Sequence, residues 1–294
     1  MKENVQTVFN KNIIIMDAIG KAIIYIRESN YEAAIQEIAN VTDAISFVAD
    51  AIMKDREYYD LVSVESICEM LQGILDAKQD QDYILVADLL ELQMETFICS
   101  VQNYIMNKED LPIFEQSTYY KQIQDLESKV VDCDIFEEES MEELSTTELL
   151  EKGYRIEFTS CGLMTLAAEN QNGIAHYLHT NHKISQEAFL LARSWRESNI
   201  HTYVIYGLGL GYHIMELIKL DREAAFEIYE GDLNILKLCC AFSNIEEILS
   251  NSKVKIIFDP DFSQFEKRRK EVQAHEKVCI HYPSYERTSL HVVQ

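Results

Sequence analysis

The stretch "HTYVIYGLGLGYHIMELIKL", residues 201–220, decides the fold of the second half of the chain. A run of apolar and aromatic residues leads into three glycines at alternate positions, Gly207, Gly209 and Gly211, and an amphipathic segment follows them. Apolar strand, glycine turn and helix in this order are typical of one unit of a parallel sheet with crossover helices. We therefore expect a buried strand before the glycines and a helix after them.

The sequence on either side extends the same pattern. Further strands, separated by helical segments, are expected at 224–230, 253–259 and 277–283. Ahead of the stretch, alternating residues around the turn sequence "NQNG" predict a small β-hairpin element, with short strands expected at 154–159, 162–169 and 173–178. Residues 153–294 are therefore predicted to form a doubly wound, Rossmann-like parallel sheet covered by helices on both faces. The carboxyl ends of its strands should share one edge, where ligands bind in such sheets.

The first half of the chain has a helical pattern. There is no proline through residue 106, and apolar residues recur at spacings of three and four. Four long helices are predicted, at 4–28, 29–55, 61–78 and 81–106, the second with Ser29 or Asn30 as its N-cap. Residues 1–110 are therefore expected to form an antiparallel four-helix bundle. Residues 1–106 contain no histidine, which argues against a di-iron site and favours a scaffold or protein-docking role.

The net charge of −24 is unevenly distributed. Residues 1–130 carry 23 acids and 10 bases, and residues 131–150 carry 8 acids and no base, so residues 111–152 are expected to be an acidic linker. Such a chain lacks the basic stripe that nucleic acid or anionic membrane requires, and neither is an expected partner. Without a long apolar run, a signal-peptide pattern or a Cys-x-x-Cys pair, we expect no membrane insertion and a cytoplasmic location.

The glycines point to a nucleotide-type ligand. Glycine lets the backbone turn with positive φ and approach a ligand closely, and the amides of the following helix favour an anion. Two acids, Glu230 and Asp259, close the next strands, where a carboxylate commonly meets a ribose. We therefore expect room for a guest molecule beside a carboxylate. The candidate cofactor-binding residues are Gly207, Gly209, Gly211, Tyr212, His213, Glu230 and Asp259.

The spacing of the glycines leaves the ligand open. A dinucleotide motif would need glycine where Tyr212 stands, whereas G-x-G-x-G is closer to the loop of S-adenosylmethionine-dependent methyltransferases. Those enzymes usually carry an acid two residues before the first glycine, a position held here by Ile205. A loop that only packs strand against helix remains the alternative interpretation.

Four segments in order resemble the N-terminal part of the motility accessory factor family, the flagellin glycosyltransferases of bacteria. They are "GLMTLAAENQNGIAHYLHTNHKISQEAFLLARSW", "YVIYGLGLGYHIMELIK", "FEIYEGDLNILKLC" and "IHYPSYE". In that family a "yLHS-x-x-x-P-x-x-EA" segment precedes a "GfGlGYh" loop. The matching residues here are Leu178, His179, Thr180, Glu187 and Ala188, and the usual proline is absent from the segment between them. The resemblance covers about residues 154–290.

The resemblance implies an accessory or binding module. In that family a glycosyltransferase-like domain, with its own glycine-rich nucleotide-sugar loop, follows this region, and no second such loop precedes Gln294. The sequence is therefore expected to be either a fragment of such a protein or a shortened relative of the family. The resemblance leaves a nucleotide sugar or S-adenosylmethionine as candidate cofactor, and flagellar or other proteins as partners of the acidic helical bundle. A homo-oligomer is a further alternative, and catalytic residues cannot be named.

No metal site is expected. His179 and His182 have a spacing that could suit a metal, but no neighbouring cysteine or carboxylate completes a tetrahedral set. The "DPD" sequence at 259–261 has the shape of a metal-binding pair but stands at a strand end before a helix. The main functional alternative is an S-adenosylmethionine-dependent methyltransferase.

Overall fold

The computed structural model describes residues 3–60, 62–109, 116–131, 146–169 and 173–289. The chain forms two compact units. The first, the helical unit, comprises Met1–Leu111 and Phe158–Leu163. The second, the sheet unit, comprises Pro112–Glu157 and Met164–Gln294. A mixed helix-and-sheet protein with a helical front region, as the sequence predicts, is confirmed.

The helical unit is built from α-helices joined by short links. They are α1 (Glu3–Arg27), α2 (Tyr31–Asn40), α3 (Thr42–Lys54), α4 (Val64–Gln79), α5 (Tyr83–Leu89) and α6 (Glu95–Lys108), with a π-helical segment (Leu90–Met94) between α5 and α6. The long helix α1 packs against α2, α3, α5 and α6. Its apolar face includes Ile15, Ile19 and Ile23, all essentially inaccessible to solvent, and this explains the helical periodicity of the sequence.

The prediction of four helices is wrong in number. The expected second helix is capped at Asn30, whose side chain accepts a hydrogen bond from the Ala33 amide, but it stops at Asn40 and restarts at Thr42. Between them Val41 leaves the helical conformation, and the Thr42 hydroxyl donates to the Ile38 carbonyl. A threonine that bonds to its own backbone competes with helix continuation. The expected fourth helix, in contrast, is continuous from Tyr83 to Lys108, with the π-helical segment inside it.

A buried amide pair ties the helical unit together. Asn12 of α1 donates from Nδ2 to Oε1 of Gln102 on α6, at 3.1 Å. Gln102 in turn donates from Nε2 to the carbonyls of Phe9 and Cys161, at 3.1 and 3.0 Å. Both amides are fully buried, and buried polar groups need such partners because leaving one unpaired costs about 1–3 kcal/mol.

The sheet unit contains two sheets. Its helices are α7 (Gln116–Glu127), α8 (Thr146–Glu151), α9 (Ile184–Trp195), α10 (Tyr212–Leu220), α11 (Leu233–Phe242), α12 (Glu246–Ser250), α13 (Ser263–Arg268) and α14 (Tyr282–Ser289). Its strands are β1 (Val130–Val131), β2 (Tyr154–Phe158), β3 (Met164–Glu169), β4 (Ala175–Tyr177), β5 (Thr202–Tyr206), β6 (Ala225–Glu230), β7 (Val254–Phe258) and β8 (Glu276–Ile280). The expected hairpin is present, since β3 and β4 pair antiparallel in a small sheet of order β2-β3-β4, and residues 170–172 of its turn lie outside the described residues.

The larger sheet is parallel, as predicted. Its order is β1-β7-β6-β5-β8, and every neighbouring pair runs in the same direction. Alternate residues of the central strand β5 face opposite sides: Tyr203 and Ile205 pack with helices α7 and α9–α12, whereas Val204 and Tyr206 pack with residues around α13 and α14. The sheet is therefore covered on both faces, which explains the continuous apolar runs of its strands.

The segment expected to be an acidic linker differs from that expectation in its described part. Gln116–Glu127 forms α7, and Val130–Val131 forms β1, which pairs with the edge of β7. Gln122 of α7 donates to the carbonyls of Cys240 and Ser243 and accepts from the Ile245 amide, so this helix is fixed to the sheet unit. Residues 132–145, the most acidic part, lie outside the described residues.

Membrane insertion was not expected from the sequence. Among the helices of the described residues, none combines the length and apolar character needed to span a bilayer.

Candidate functional site

The carboxyl ends of the central strands meet at one edge of the larger sheet. In the register of the sheet Tyr206, the last residue of β5, lies beside Tyr229 of β6 and Ile280 of β8, and Glu230 lies beside Phe258. The residues that follow these strand ends therefore come together, and the predicted alignment is confirmed.

The glycine loop, residues 207–211, uses the conformational freedom of its glycines. Gly207, Gly209 and Gly211 have φ values of 96°, 53° and 79°, a region that residues with a side chain rarely adopt. Gly211 is the N-cap of α10, and the Gly207 amide donates to the Tyr229 carbonyl at 2.8 Å. The loop is thus a tight turn between a buried strand and a helix, as its sequence indicates.

The space beside each glycine is occupied by protein. A β-carbon added at Gly207 would lie 2.5 Å from Cβ of Ser284, and one added at Gly209 would lie 2.7 Å from Nε2 of His179. At Gly211 the nearest atom would be Cγ2 of Ile245, at 3.0 Å. The sequence predicted room for a guest here, and at the β-carbon position of each glycine the structure places side chains of the chain itself.

Glu230 binds the glycine loop rather than facing solvent. Its Oε2 accepts a hydrogen bond from the Leu208 amide at 2.9 Å, and its Oε1 accepts one from the Asp232 amide at 3.1 Å. The residue is 2 % exposed. A carboxylate satisfied by two backbone amides holds the turn in place by charge-assisted hydrogen bonds, which are about twice as strong as neutral ones.

Asp259 has a similar local role at the next strand end. Its two carboxylate oxygens accept from the amides of Gln264 and Phe265, at 3.1 and 2.8 Å, and so fix the first turn of α13. Burial raises the pKa of the Asp259 carboxyl, although the two amides oppose this shift. Asp261, the other acid of "DPD", accepts from the amide and hydroxyl of Ser263. Both carboxylates are thus engaged with their own chain.

Tyr212 and His213 begin α10 and are both buried. The Tyr212 hydroxyl donates to the Met164 carbonyl of β3 at 2.9 Å. His213 donates from Nε2 to the Gly207 carbonyl at 3.1 Å, while its Nδ1 has no hydrogen-bond partner among the described residues. Burial, and then the neighbouring His179, lower the pKa of His213 to about 3, so the ring is neutral near pH 7.

Two further histidines join His213 in a cluster that the sequence did not predict. His179 accepts the Leu210 amide on Nε2 at 2.9 Å, and Nδ1 of His281 lies 2.7 Å from the Ser284 hydroxyl. Both residues are buried, and burial lowers the pKa of His281 well below its usual value. The three imidazoles therefore lie together beside the glycine loop. We call them the histidine cluster (His179, His213 and His281).

The histidine cluster is not arranged as a preformed metal site. One ligating atom from each ring lies within 4.8 Å of the others. However, the rings of His213 and His281 are stacked at 4.3 Å with an angle of 11° between their planes, so a single ion cannot lie in the plane of both rings. A zinc ion needs nitrogens about 2.0–2.1 Å away whose lone pairs converge on it. The Nε2 lone pair of His179 is in addition already taken by the Leu210 amide.

The sequence correctly predicted that the site residues lie at the strand ends, but it did not predict which side chains contact one another there. The structure brings Gly207, Gly209, His213 and Glu230 together, and leaves Asp259 at the neighbouring strand end with its own helix. The contributions of His179, His281 and Ser284 were not predicted. Two of them had a usable signal: His281 directly follows β8 and so had to reach the same edge, and His179 lies in the "yLHS" segment of the family resemblance.

Comparison with known families relates the helical unit to one other group of sequences. Residues 5–104 match a family described as "Domain of unknown function (DUF8042)". No curated protein and no solved structure matches the chain.

Proposed function

We propose that the chain is a binding or accessory module of the motility accessory factor type, with a Rossmann-like sheet unit, and that it is not a transferase by itself. The strands β5 to β8 stand in the order third, second, first, fourth. This is the order of the first Rossmann half followed by the first strand of the second half, and it supports the arrangement. The glycine loop follows the first of these strands and the acid Glu230 closes the second, as in that fold.

One observation carries the accessory role: the groups that would hold a nucleotide bind each other. The loop amides of Leu208 and Leu210, which would face a phosphate or a carboxylate, donate to Glu230 and His179. A ligand would have to displace both acceptors, and it would leave a buried carboxylate without its amide. Leaving a neutral polar group unpaired in the interior costs about 1–3 kcal/mol, and leaving a charged group unpaired costs more. The loop therefore works as a structural turn.

The partner we propose is a flagellar or other protein that binds the acidic helical unit. Residues 1–111 carry 20 acids and 8 bases, an excess of 12 negative charges, which suits association with a basic surface and steers it at low salt. We place the protein in the bacterial cytoplasm, in keeping with the six described cysteines, which are all free thiols.

Calorimetry of the purified chain tests the proposal. Titration with nucleotide sugars and with S-adenosylhomocysteine should give no saturable heat at high micromolar ligand. Titration with flagellin of the same bacterium should give saturable binding that weakens as salt is raised. Sugar transfer to flagellin by this chain alone, or saturable nucleotide-sugar binding, would overturn the proposal.

An S-adenosylmethionine-dependent methyltransferase is the second candidate. The observation in its favour is the Glu230 carboxylate within 2.9 Å of the first loop amide, at the strand end where such an acid would meet a ribose. The two candidates predict different stabilities of the chain in the presence of an adenosyl ligand. At 100 times its dissociation constant a bound adenosyl ligand adds about 2.7 kcal/mol to stability, a shift that the accessory role excludes.

A further inference from the structure

The helical unit contains an open apolar cleft between α2 and the α4–α5 hairpin. Its volume is about 140 Å³. The residues lining it are Ile26, Ala34, Ile35, Ile38, Ala39, Thr42, Ile74, Leu75, Lys78, Tyr83 and Val86. Most of these are aliphatic, and a cavity of roughly 150 Å³ with such a lining is enough to hold a benzene molecule. The cleft therefore has room for one large apolar side chain.

The walls of the cleft are fixed while its mouth is open. At one end Tyr31 of α2 and Tyr83 of α5 stack with their ring centroids 4.2 Å apart and their planes 12° apart, which links the two walls. Ala34, Ile74 and Val86, which also line the cleft, are buried. Leu75 also lines the cleft but is 52 % exposed, so apolar surface reaches the solvent at its mouth.

The charge around the cleft is negative. The two wall segments, residues 31–43 and 74–86, together carry six acids and one base, Lys78. An apolar cleft in an acidic surface is complementary to an amphipathic helix with an apolar anchor and basic flanks. With about 1.5 Å of rise per residue, α2 spans roughly 15 Å, so two or three turns of a partner helix could lie along it.

From this juxtaposition we infer that the cleft is the docking site for a basic amphipathic helix of a partner protein, which inserts one large apolar side chain beside Leu75. The inference rests on the proposed docking role of the helical unit and names the chemistry of the partner. The inference and the proposed function are tested separately, because peptide binding to the cleft does not depend on what the glycine loop binds.

The experiment uses the full chain and fluorescence anisotropy with labelled synthetic helices of about 14 residues, four helical turns. The probe has leucines at helical spacing on one face and lysines on the other. A second peptide has serine in place of each leucine, and a third has glutamate in place of each lysine. Only the leucine–lysine peptide should bind in a saturable manner.

Two matched variants locate the binding. Leu75→Lys should weaken binding of the leucine–lysine peptide about tenfold or more, because it removes an apolar contact and places a charge beside the inserted apolar side chain. Leu92→Lys adds the same charge at a leucine that is 69 % exposed and does not line the cleft, and it should weaken binding less than about threefold. Both positions are exposed, so both variants should fold, which circular dichroism checks.

Several results would overturn the inference. If the two variants weakened peptide binding equally, or if the serine–lysine peptide bound as tightly as the leucine–lysine peptide, binding would rest on charge attraction alone, without an inserted apolar side chain. Saturation of the cleft by toluene in a chain that binds none of the peptides would identify a small-molecule site instead. If the cleft binds the peptide while the chain fails to bind flagellin, the inference stands and only the proposed partner is lost.

Discussion

The candidate binding surfaces of the two units differ in whether their groups are already engaged within the chain. At the strand ends of the sheet unit, Glu230 and His179 bind the loop amides, and side chains fill the space beside the glycines. In the helical unit the cleft beside Leu75 stays open and carries apolar surface into the solvent. The sheet edge has the more familiar sequence motif, yet the helical unit has the more accessible surface.

This difference shows that a motif predicts where polar groups meet but not what they bind. The glycine loop places amides and a carboxylate within hydrogen-bond distance, and these groups satisfy each other as well as they would satisfy a ligand. Substitutions at the sheet edge should therefore change stability, and substitutions in the cleft should change binding. Four predictions test this contrast.

The largest effect is expected at Gly207. Gly207→Ala places a β-carbon 2.5 Å from Cβ of Ser284 at a φ of 96°, so it adds a clash to the left-handed strain. We expect a loss of about 3–4 kcal/mol in the free energy of unfolding, measured by urea denaturation.

The matched control is Gly173→Ala. Gly173 has a φ of 70°, but a β-carbon there would meet nothing within 4 Å, so only the strain of about 1–2 kcal/mol remains. Adding Ser284→Gly to Gly207→Ala should restore part of the loss. Equal costs at the two glycines would mean that the space beside Gly207 is open to a guest after all.

The next effect concerns Glu230. Glu230→Gln replaces a carboxylate that accepts from two amides with a group that has a single acceptor oxygen. We expect a loss of about 2 kcal/mol in unfolding free energy. Glu223→Gln, at a side chain that is 95 % exposed, should change it by less than about 0.5 kcal/mol. An unchanged or raised stability in Glu230→Gln would instead indicate an acid kept for a ligand, because functional residues often cost stability.

The third effect is a pH dependence from the histidine cluster. His213 has a pKa of about 3 in the folded chain and about 6.5 when unfolded, so the unfolded state binds more protons between these values. Its contribution to stability is full above about pH 6.5 and is lost as the pH falls towards 3. From pH 7 to pH 5 the loss should be about 2 kcal/mol.

His213→Phe should remove this part of the acid sensitivity. The variant loses the hydrogen bond to Gly207 at both pH values, but its decrease in unfolding free energy between pH 7 and pH 5 should be about 2 kcal/mol smaller than that of the unchanged chain. Tyr212→Phe is the control, because it removes a neighbouring hydrogen bond without removing an imidazole. An equal pH response in all three proteins would show that His213 has the same pKa in the folded and the unfolded chain.

The sequence predicted those features that depend on local pattern. Apolar runs separated by helical segments predicted the strands β5 to β8, and their common direction brought Gly207, Glu230 and His281 to one edge. The break at Val41 and the two-residue strand β1 were missed, because each depends on a few backbone contacts with no periodic signal. The roles of the site residues were also missed, since a carboxylate at a strand end can face a ligand or its own loop, and only side-chain direction decides between them.

The smallest effect on stability is expected in the cleft, and it is the most informative about function. Leu75 is half exposed, so Leu75→Lys should change the free energy of unfolding by less than about 0.5 kcal/mol, while it weakens peptide binding about tenfold. Glu230→Gln should show the reverse, with lower stability and unchanged peptide binding. Because the two variants are made in the same chain, urea denaturation and anisotropy separate a structural residue from a binding one. If Leu75→Lys destabilised the chain by 2 kcal/mol or more, as large core deletions do, the cleft would be part of the core, and the contrast between the two units would fail.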